Sequence, residues 1–374
     1  MGPLSGLKVI EFAGLGPVPF CGMILSDLGA DVVRVDRKRN TEAYRATCFQ
    51  LDSRGRRSIA LDLKRPEATE TCLMLFEKAD IVFEGYRPGV MERLGLGPDV
   101  ALTRNQRLVY GRMTGWGQTG SYAHAAGHDI NYIAISGILN AIGPENHPFP
   151  PLNLVGDYGG ALLLTTGMLS AYLHACETGE GQVVDTAISD AGAYLATLYY
   201  GMHAAGQWID RRDSNLLDGG APFYGAFRCA DDRWVAIGAI EPKFFAVLLE
   251  KLGLREIADR QMDHHHWRET RVLLEETFAQ KTQQEWCALL EGTDACFAPV
   301  MSFAEAPTHP HNRSRGAFVE IDGIPQPAPT PRFSRTPGGI QGPPPEIGAH
   351  TRTILTQWGM TDKQIDALVA CGAI

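Results

Sequence analysis

The chain has 374 residues, more than one hydrophobic core usually organises, so two domains are expected. With 44% hydrophobic residues, 21% charged residues and a net charge of −9, the composition is that of a folded globular protein and excludes a general nucleic-acid binder. No apolar run reaches the roughly 18 residues that a membrane span needs.

Short β-like runs alternate with amphipathic stretches through the first third: Leu7–Phe12, Asp31–Val35, Arg57–Leu61, Ile81–Glu84 and Leu108–Met113 read as strands. Between them Pro66–Ala79 reads as a helix, with Pro66 at its first position and Ala68, Cys72, Leu75, Phe76 and Ala79 on one face. Such alternation predicts a mostly parallel sheet with helices on its faces. Two long apolar helices follow, Ala161–His174 and Ile188–Ala205, separated by a turn at residues 177–181 and a short strand, Gln182–Asp185. Residues 207–221 are polar and Gly/Asp-rich, as in a linker. A second unit begins near Pro222, with strands at Tyr224–Cys229, Trp234–Ile240 and Cys296–Met301 and helices at Lys243–Leu252, His266–Gln280 and Gln284–Glu291. Residues 323–346, rich in proline, read as an extended crossing segment, and Lys363–Cys371 as a closing helix. The eight cysteines contain no Cys-x-x-Cys and read as reduced intracellular thiols. The start runs straight into a strand pattern without a leader pattern, and Cys371–Ile374 is no peroxisomal ending, so a cytoplasmic location is expected.

Two motifs carry chemistry. Gly127-His128-Asp129-Ile130-Asn131 and Gly156-Asp157-Tyr158-Gly159-Gly160 place an imidazole and a carboxylate, each flanked by glycine, at the expected starts of two apolar helices. A helix N-terminus offers unpaired N–H groups and a partial positive charge, an environment for an anion that forms and disappears. With Glu241 near another helix start, the set points to proton chemistry on an acidic C–H bond. The plain alternatives are a structural histidine at 128, with Asp129 orienting it or capping the helix, and an N-cap aspartate at 157.

Gly14-Leu15-Gly16, with Asp36 22 residues after Gly14, imitates the dinucleotide fingerprint. Pro19, however, occupies the third glycine's place, and any α/β strand-to-helix turn reads the same way. Basic residues gather at Arg34, Arg37, Lys38 and Arg39 and at Arg54, Arg56, Arg57, Lys64, Arg87 and Arg93, either as solvated surface or as a polyphosphate site. Lys64 and Arg87 follow strand ends, where open α/β sheets bind ligands. The histidine runs at 264–266 and 309–311 lack partners at metal-ligand spacing and read as surface.

Taken in order, Pro3–Glu11, Leu25–Asp36, Leu61–Lys64, Glu84–Gly89, Met113–Gly120, Ala126–Tyr132, Asn153–Gly160, Gly238–Pro242 and Asp294–Val300 resemble the family III CoA-transferase (CaiB/BaiF-like) superfamily, and within it the α-methylacyl-CoA racemases. The resemblance implies an α/β fold with a large Rossmann-like domain (1–190 and 330–374) and a small α+β domain (222–305). Long linkers, 191–221 outward and 306–329 in return, would join them, in an interlocked-ring homodimer whose active sites are shared between chains. It implies an acyl-CoA thioester substrate, no separate cofactor and no metal. His128 and Asp157 match the acid/base pair, with Asp129, Glu241 and Asn153 as supports. Arg37, Leu61, Asp62, Leu63, Lys64, Gly85, Tyr86, Arg87 and Arg93 match CoA contacts, and Gly127, Ile130, Asn131 and Tyr132 the loop beside the thioester.

Racemisation at the carbon α to the thioester then needs a base on one face and an acid on the other, and backbone N–H groups near Asp157 are the expected donors to the enolate oxygen. The rival within the superfamily is CoA transfer through an aspartyl-CoA thioester at Asp157. The expected flexible glycine-rich flap of such transferases is reduced here to two glycines in Leu216–Pro222. A dinucleotide-dependent dehydrogenase and a non-catalytic acyl-CoA binder are the remaining readings.

Overall fold

The computed structural model describes residues 2–38 and 50–374; Arg39 and Cys48 lie outside the described residues. Six parallel strands, β1 (Lys8–Phe12), β2 (Asp31–Arg37), β3 (Arg57–Leu61), β4 (Ile81–Glu84), β5 (Val109–Thr114) and β6 (Val183–Ala187), form one sheet in the order β3-β2-β1-β4-β5-β6. This is the doubly wound order, whose direction reverses between β1 and β4. The helices beside the sheet are α1 (Pro17–Asp27), α2 (Pro66–Phe76), α3 (Asp129–Ile135), α4 (Gly159–Thr178) and α5 (Ile188–Leu195).

Covering both faces makes most strands read as near-continuous apolar runs. Alternate residues still divide cleanly. Ile10, Phe12, Val33, Val35, Ile59 and Leu61 pack with Cys72, Leu75 and Phe76 of α2 and with Ile354 and Ile365 near the C-terminus. Val9, Val32, Ile81, Phe83, Val109 and Met113 pack with Cys21 and Leu25 of α1 and Leu164 and Met168 of α4.

The chain separates into two compact units. The first takes in the described residues up to Ser136 together with Pro151–Ala196 and Gly316–Ile374; the second comprises Gly137–Pro150 and Thr197–Arg315. The second unit holds a three-stranded antiparallel sheet, Tyr224–Arg228, Trp234–Gly238 and Phe297–Pro299. Helices Pro242–Leu252, Trp267–Phe278 and Gln283–Leu290 supply Phe245, Leu248, Leu274, Phe278 and Trp286 to its core.

Several expectations are corrected in detail. Ile188–Ala205 is two helices, α5 and Thr197–Ala204, interrupted at Ala196. The return linker contains an antiparallel hairpin, Phe318–Ile321 with Ile324–Pro327, and beyond the proline-rich segment lies a helix, Thr351–Gln357, that its threonines conceal. The basic cluster of the first domain is mostly structural: Arg34 pairs with Asp36, Arg54 with Asp27, Arg56 with Glu11 and Arg57 with Asp31. Lys38 donates to the carbonyls of Gly372 and Ile374.

The Arg56–Glu11 pair is essentially unexposed, at 2.9 Å, and Arg56 also donates to the carbonyls of Arg54 and Pro19. It therefore joins β1, β3 and the first turn of α1. Burial pushes the Glu11 carboxyl up despite the guanidinium beside it, and Glu11 Oε1 accepts no hydrogen bond among the described residues. Removing only the cation leaves a buried carboxylate unpaired, which costs about 3–5 kcal/mol. Arg56→Met is expected to lower unfolding stability by that amount in denaturant titration, and Arg56→Met with Glu11→Leu to recover a large part of it.

Candidate active site

At the start of α3 the backbone of His128 is extended (φ −135°, ψ 174°), and His128 is the N-cap with Asp129 the first helical residue, as the sequence predicts. The His128 N–H donates to Asn131 Oδ1 at 3.0 Å, and the imidazole side chain is exposed with Ile130 and Asn131. Tyr132 fixes the entry to this turn. Its phenol donates to the Gly127 carbonyl, and its ring stands edge-on to Trp116 at 4.7 Å. A Cβ on Gly127 would lie 2.7 Å from the Tyr132 ring and 3.1 Å from Trp116, so this glycine serves close aromatic packing.

Asp157 sits differently from its expected place. It is not an N-cap: Leu154–Tyr158 form a wide, π-type turn that Asn153 precedes and that runs directly into α4. Such turns recur at functional sites. The Asp157 N–H donates to Asp129 Oδ1 at 2.7 Å, and Asp129 also accepts from the Gly156 N–H. A Cβ on Gly156 would fall 2.1 Å from that oxygen, so glycine is obligatory here. Tyr158 N–H donates to Asn153 O at 3.2 Å. The amides of Gly156, Asp157 and Tyr158 are thus each engaged within the protein.

The side chain of Asp157 receives Asn153 Nδ2 on Oδ2 at 3.2 Å. Burial pushes its carboxyl above the ordinary value, and the Asp129 charge adds to that; the Asn153 N–H and the nearby His128 charge pull the other way. Asp129 is likewise raised by burial, against the two amides that stabilise its charge. Its Oδ2 is buried without a hydrogen-bond partner among the described residues. The structure therefore brings His128, Asp129, Asn153 and Asp157 into one cluster. Glu241 belongs to the second unit, where it is exposed at the N-cap of Pro242–Leu252 and its carbonyl accepts from Phe244 and Phe245 at 3.0 Å.

Sequence reasoning missed one neighbour of this cluster. Gly16, in the turn from β1 to α1, lies against the Asp157 carboxylate: a Cβ there would be 2.8 Å from Oδ2. The available signal was Gly16 followed by Pro17, which marks a turn but not what it faces.

Most of the other candidates lie at or just beyond the carboxyl ends of β2, β3 and β4, the side on which open α/β sheets bind ligands. Arg37 ends β2, Leu61 ends β3, and Gly85, Tyr86 and Arg87 follow β4. Arg37, Lys64, Arg87 and Arg93 are exposed; Leu61 is buried, and Asp62 and Leu63 are half-buried. Asp62 N–H donates to Ala373 O at 2.9 Å, and Asp62 Oδ1 accepts from Lys64 N–H at 3.2 Å. Tyr86 N–H donates to Glu84 Oε2 at 2.6 Å; burial raises the Glu84 carboxyl to about 7, against that bond and Arg112. Gly85 packs so closely on Val18 that a Cβ would come within 2.5 Å of it. Asp36 is buried between Arg34 Nε at 2.9 Å and Ser58 Oγ at 2.5 Å, so it is not placed to receive a ribose.

Local contacts hold the histidine runs: His264 stacks on Trp267, His266 meets Asp263 at 2.8 Å, and His309 meets Glu291 at 2.8 Å. Among the described residues no group of three or more metal-ligating side chains is assembled, and no helix is long and apolar enough to cross a membrane.

Comparison with known proteins matches CoA-transferase family III to residues 4–351. The chain is 44% identical over 369 residues to the alpha-methylacyl-CoA racemase of Mus musculus and 42% identical over 375 residues to that of Homo sapiens, covering 97% of this chain and 95% of each relative. A crystal structure of a CAIB/BAIF family protein from Brucella suis shares the fold, with a TM-score of 0.82 at 25% identity over 96% of this chain and 99% of that one. The chain belongs to the CoA-transferase family III.

Proposed function

We propose that this protein is an isomerase that racemises 2-methylacyl-CoA thioesters at C2, with CoA as part of the substrate and no separate cofactor. The observation that carries this reading is the joining of His128 and Asp157, an imidazole and a carboxyl on separate turns, through the Asp129 carboxylate. His128 takes the α-proton of the (S)-thioester, giving an enolate, and Asp157 returns a proton to the opposite face; the roles reverse for the (R)-thioester. Each such group contributes roughly 10²–10⁴-fold. Asn153 orients the carboxyl, and the exposed cations Arg37, Lys64, Arg87 and Arg93 hold the phosphates of CoA, supplying binding energy away from the reacting carbon.

Two chains interlock in this reading, and the partner's copy of Glu241 supports the imidazole. Exposed apolar side chains such as Ile135, Leu162, Leu173 and Tyr194 on the first unit fit burial in such a dimer. Against the transferase alternative, the segment that would form a flexible flap is knitted to one carboxylate: Asp218 accepts from the amides of Ser214, Asn215 and Gly220 and from the Asn215 side chain.

Incubating the protein with an (S)-2-methylacyl-CoA in D₂O, without nicotinamide cofactor or acceptor acid, is expected to place deuterium at C2 and produce the (R)-epimer. Absence of exchange, with CoA passing to an added carboxylate instead, would assign Asp157 as a nucleophile. In the racemase the pair must hold one proton, so the rate falls at acid pH as the second proton binds, and the carboxyl dominates that limb. Burial places the limb above the ordinary carboxyl range. Asn153→Ala removes a bond that favours the charged form, so the acid limb is expected to move to higher pH in the kcat/KM profile.

A further inference from the structure

The turn between β1 and α1 does something that neither its dinucleotide-like spacing nor a generic strand-to-helix connection explains. Gly16 has φ 66° and ψ −116°, a conformation that only glycine adopts without strain. It precedes Pro17 at the first position of α1, so the helix start and the glycine conformation fix each other. Phe20, one turn into α1, stacks on Tyr158 with ring centroids 4.2 Å apart and 13° between planes. That stack sets the turn beside the residue next to Asp157. As a result, the Gly16 Cα faces Asp157 Oδ2: a Cβ would sit 2.8 Å from that oxygen and 3.2 Å from Cγ. Asn153 Nδ2 reaches the same oxygen at 3.2 Å.

We propose that Gly16 is a positioning residue for the proton transfer at Asp157, its bare Cα and the Asn153 amide together holding the carboxylate in the orientation that reaches C2 of the substrate. This deepens the racemase reading and rests on it. His128 is carried by α3 and by the Trp116–Tyr132 packing, so a methyl at position 16 displaces one of the two acid/base groups and leaves the other in place. The enolate made by His128 then regains its proton from His128, after exchange with solvent, more often than from Asp157. Deuterium still enters the (S)-thioester, but with retention.

The experiment follows deuterium incorporation and inversion of an (S)-2-methylacyl-CoA in D₂O for the unaltered protein, Gly16→Ala and Gly14→Ala. A misplacement of this size at a reacting group lowers its step by roughly 10²-fold. Gly16→Ala is expected to lose inversion on that scale while keeping most of its exchange. In Gly14→Ala the new methyl meets Val18 at an ordinary 3.4 Å, and both rates should stay near those of the unaltered protein. Equal loss of exchange and inversion in Gly16→Ala, or the same divergence in Gly14→Ala, would overturn the proposal.

Thermal unfolding supplies a readout that does not depend on turnover. If the clash is with the carboxylate, Gly16→Ala lowers Tm less in an Asp157→Ala background than in the unaltered chain. Folding of the double variant where Gly16→Ala alone fails to fold is the extreme of the same result. Additive losses, or failure of both variants to fold, would overturn it. Absence of exchange in the unaltered protein would instead remove the racemase reading and leave the contact to be judged by Tm alone.

Discussion

One hydrogen bond organises the candidate active site: the Asp157 amide donates to the carboxylate of Asp129 at 2.7 Å. The two residues lie 28 positions apart, one opening α3 and the other in the turn that feeds α4. Together with the Gly156 amide bond to the same carboxylate, this link ties the two turns to each other and sets the spacing between His128 and Asp157. The bond also explains features that look independent. Gly156 must lack a side chain because the Asp129 oxygen occupies that space. The Asp157 carboxyl is pushed up partly by the same charge that holds its backbone. A negative group used as a structural clamp thus also tunes the neighbouring acid.

Beneath the site, buried ion pairs hold the strand ends in place. Arg56 meets Glu11 and the Pro19 carbonyl, while Arg54 joins Asp27 of α1 to Gln326 and Pro327 of the return segment. Buried pairs contribute little net stability compared with apolar packing, but breaking one is expensive. Here they tie β1, β3, α1 and the C-terminal return into one arrangement around the Gly14–Gly16 turn. They also account for much of the basic run from Arg34 to Arg57: Arg34, Arg54, Arg56 and Arg57 answer internal carboxylates, whereas Arg37, Lys64, Arg87 and Arg93 are exposed.

How far the sequence revealed this differs from element to element. The six parallel strands were legible because buried runs such as Val32–Val35 and Ile81–Phe83 leave little room for another reading. His128 at a helix N-cap was legible from the glycine before it and the apolar residues after it. The π-type turn at Leu154–Tyr158 was not, because Asp129 takes the Asp157 amide that a regular turn would have directed to the Asn153 carbonyl, and the Tyr158 amide meets that carbonyl instead. Gly16 was read as a turn residue, but its partner comes from a segment more than a hundred positions away, and no local pattern encodes that approach. The same long-range pairing hid the role of Arg54 and Arg56, which short-range charge counting groups with ligand-binding residues. The break at Ala196 escaped because neither glycine nor proline marks it.

The central claim is that two different residues handle the proton on opposite faces of one carbon. The most direct test is stereochemical exchange in D₂O with each group disabled in turn, using both epimers of a 2-methylacyl-CoA. The account predicts that Asp157→Asn exchanges the α-hydrogen of the (S)-epimer with retention and is inert toward the (R)-epimer, and that His128→Ala shows the reverse preference. Exchange of both epimers by either variant, or continued inversion by one of them, would contradict it.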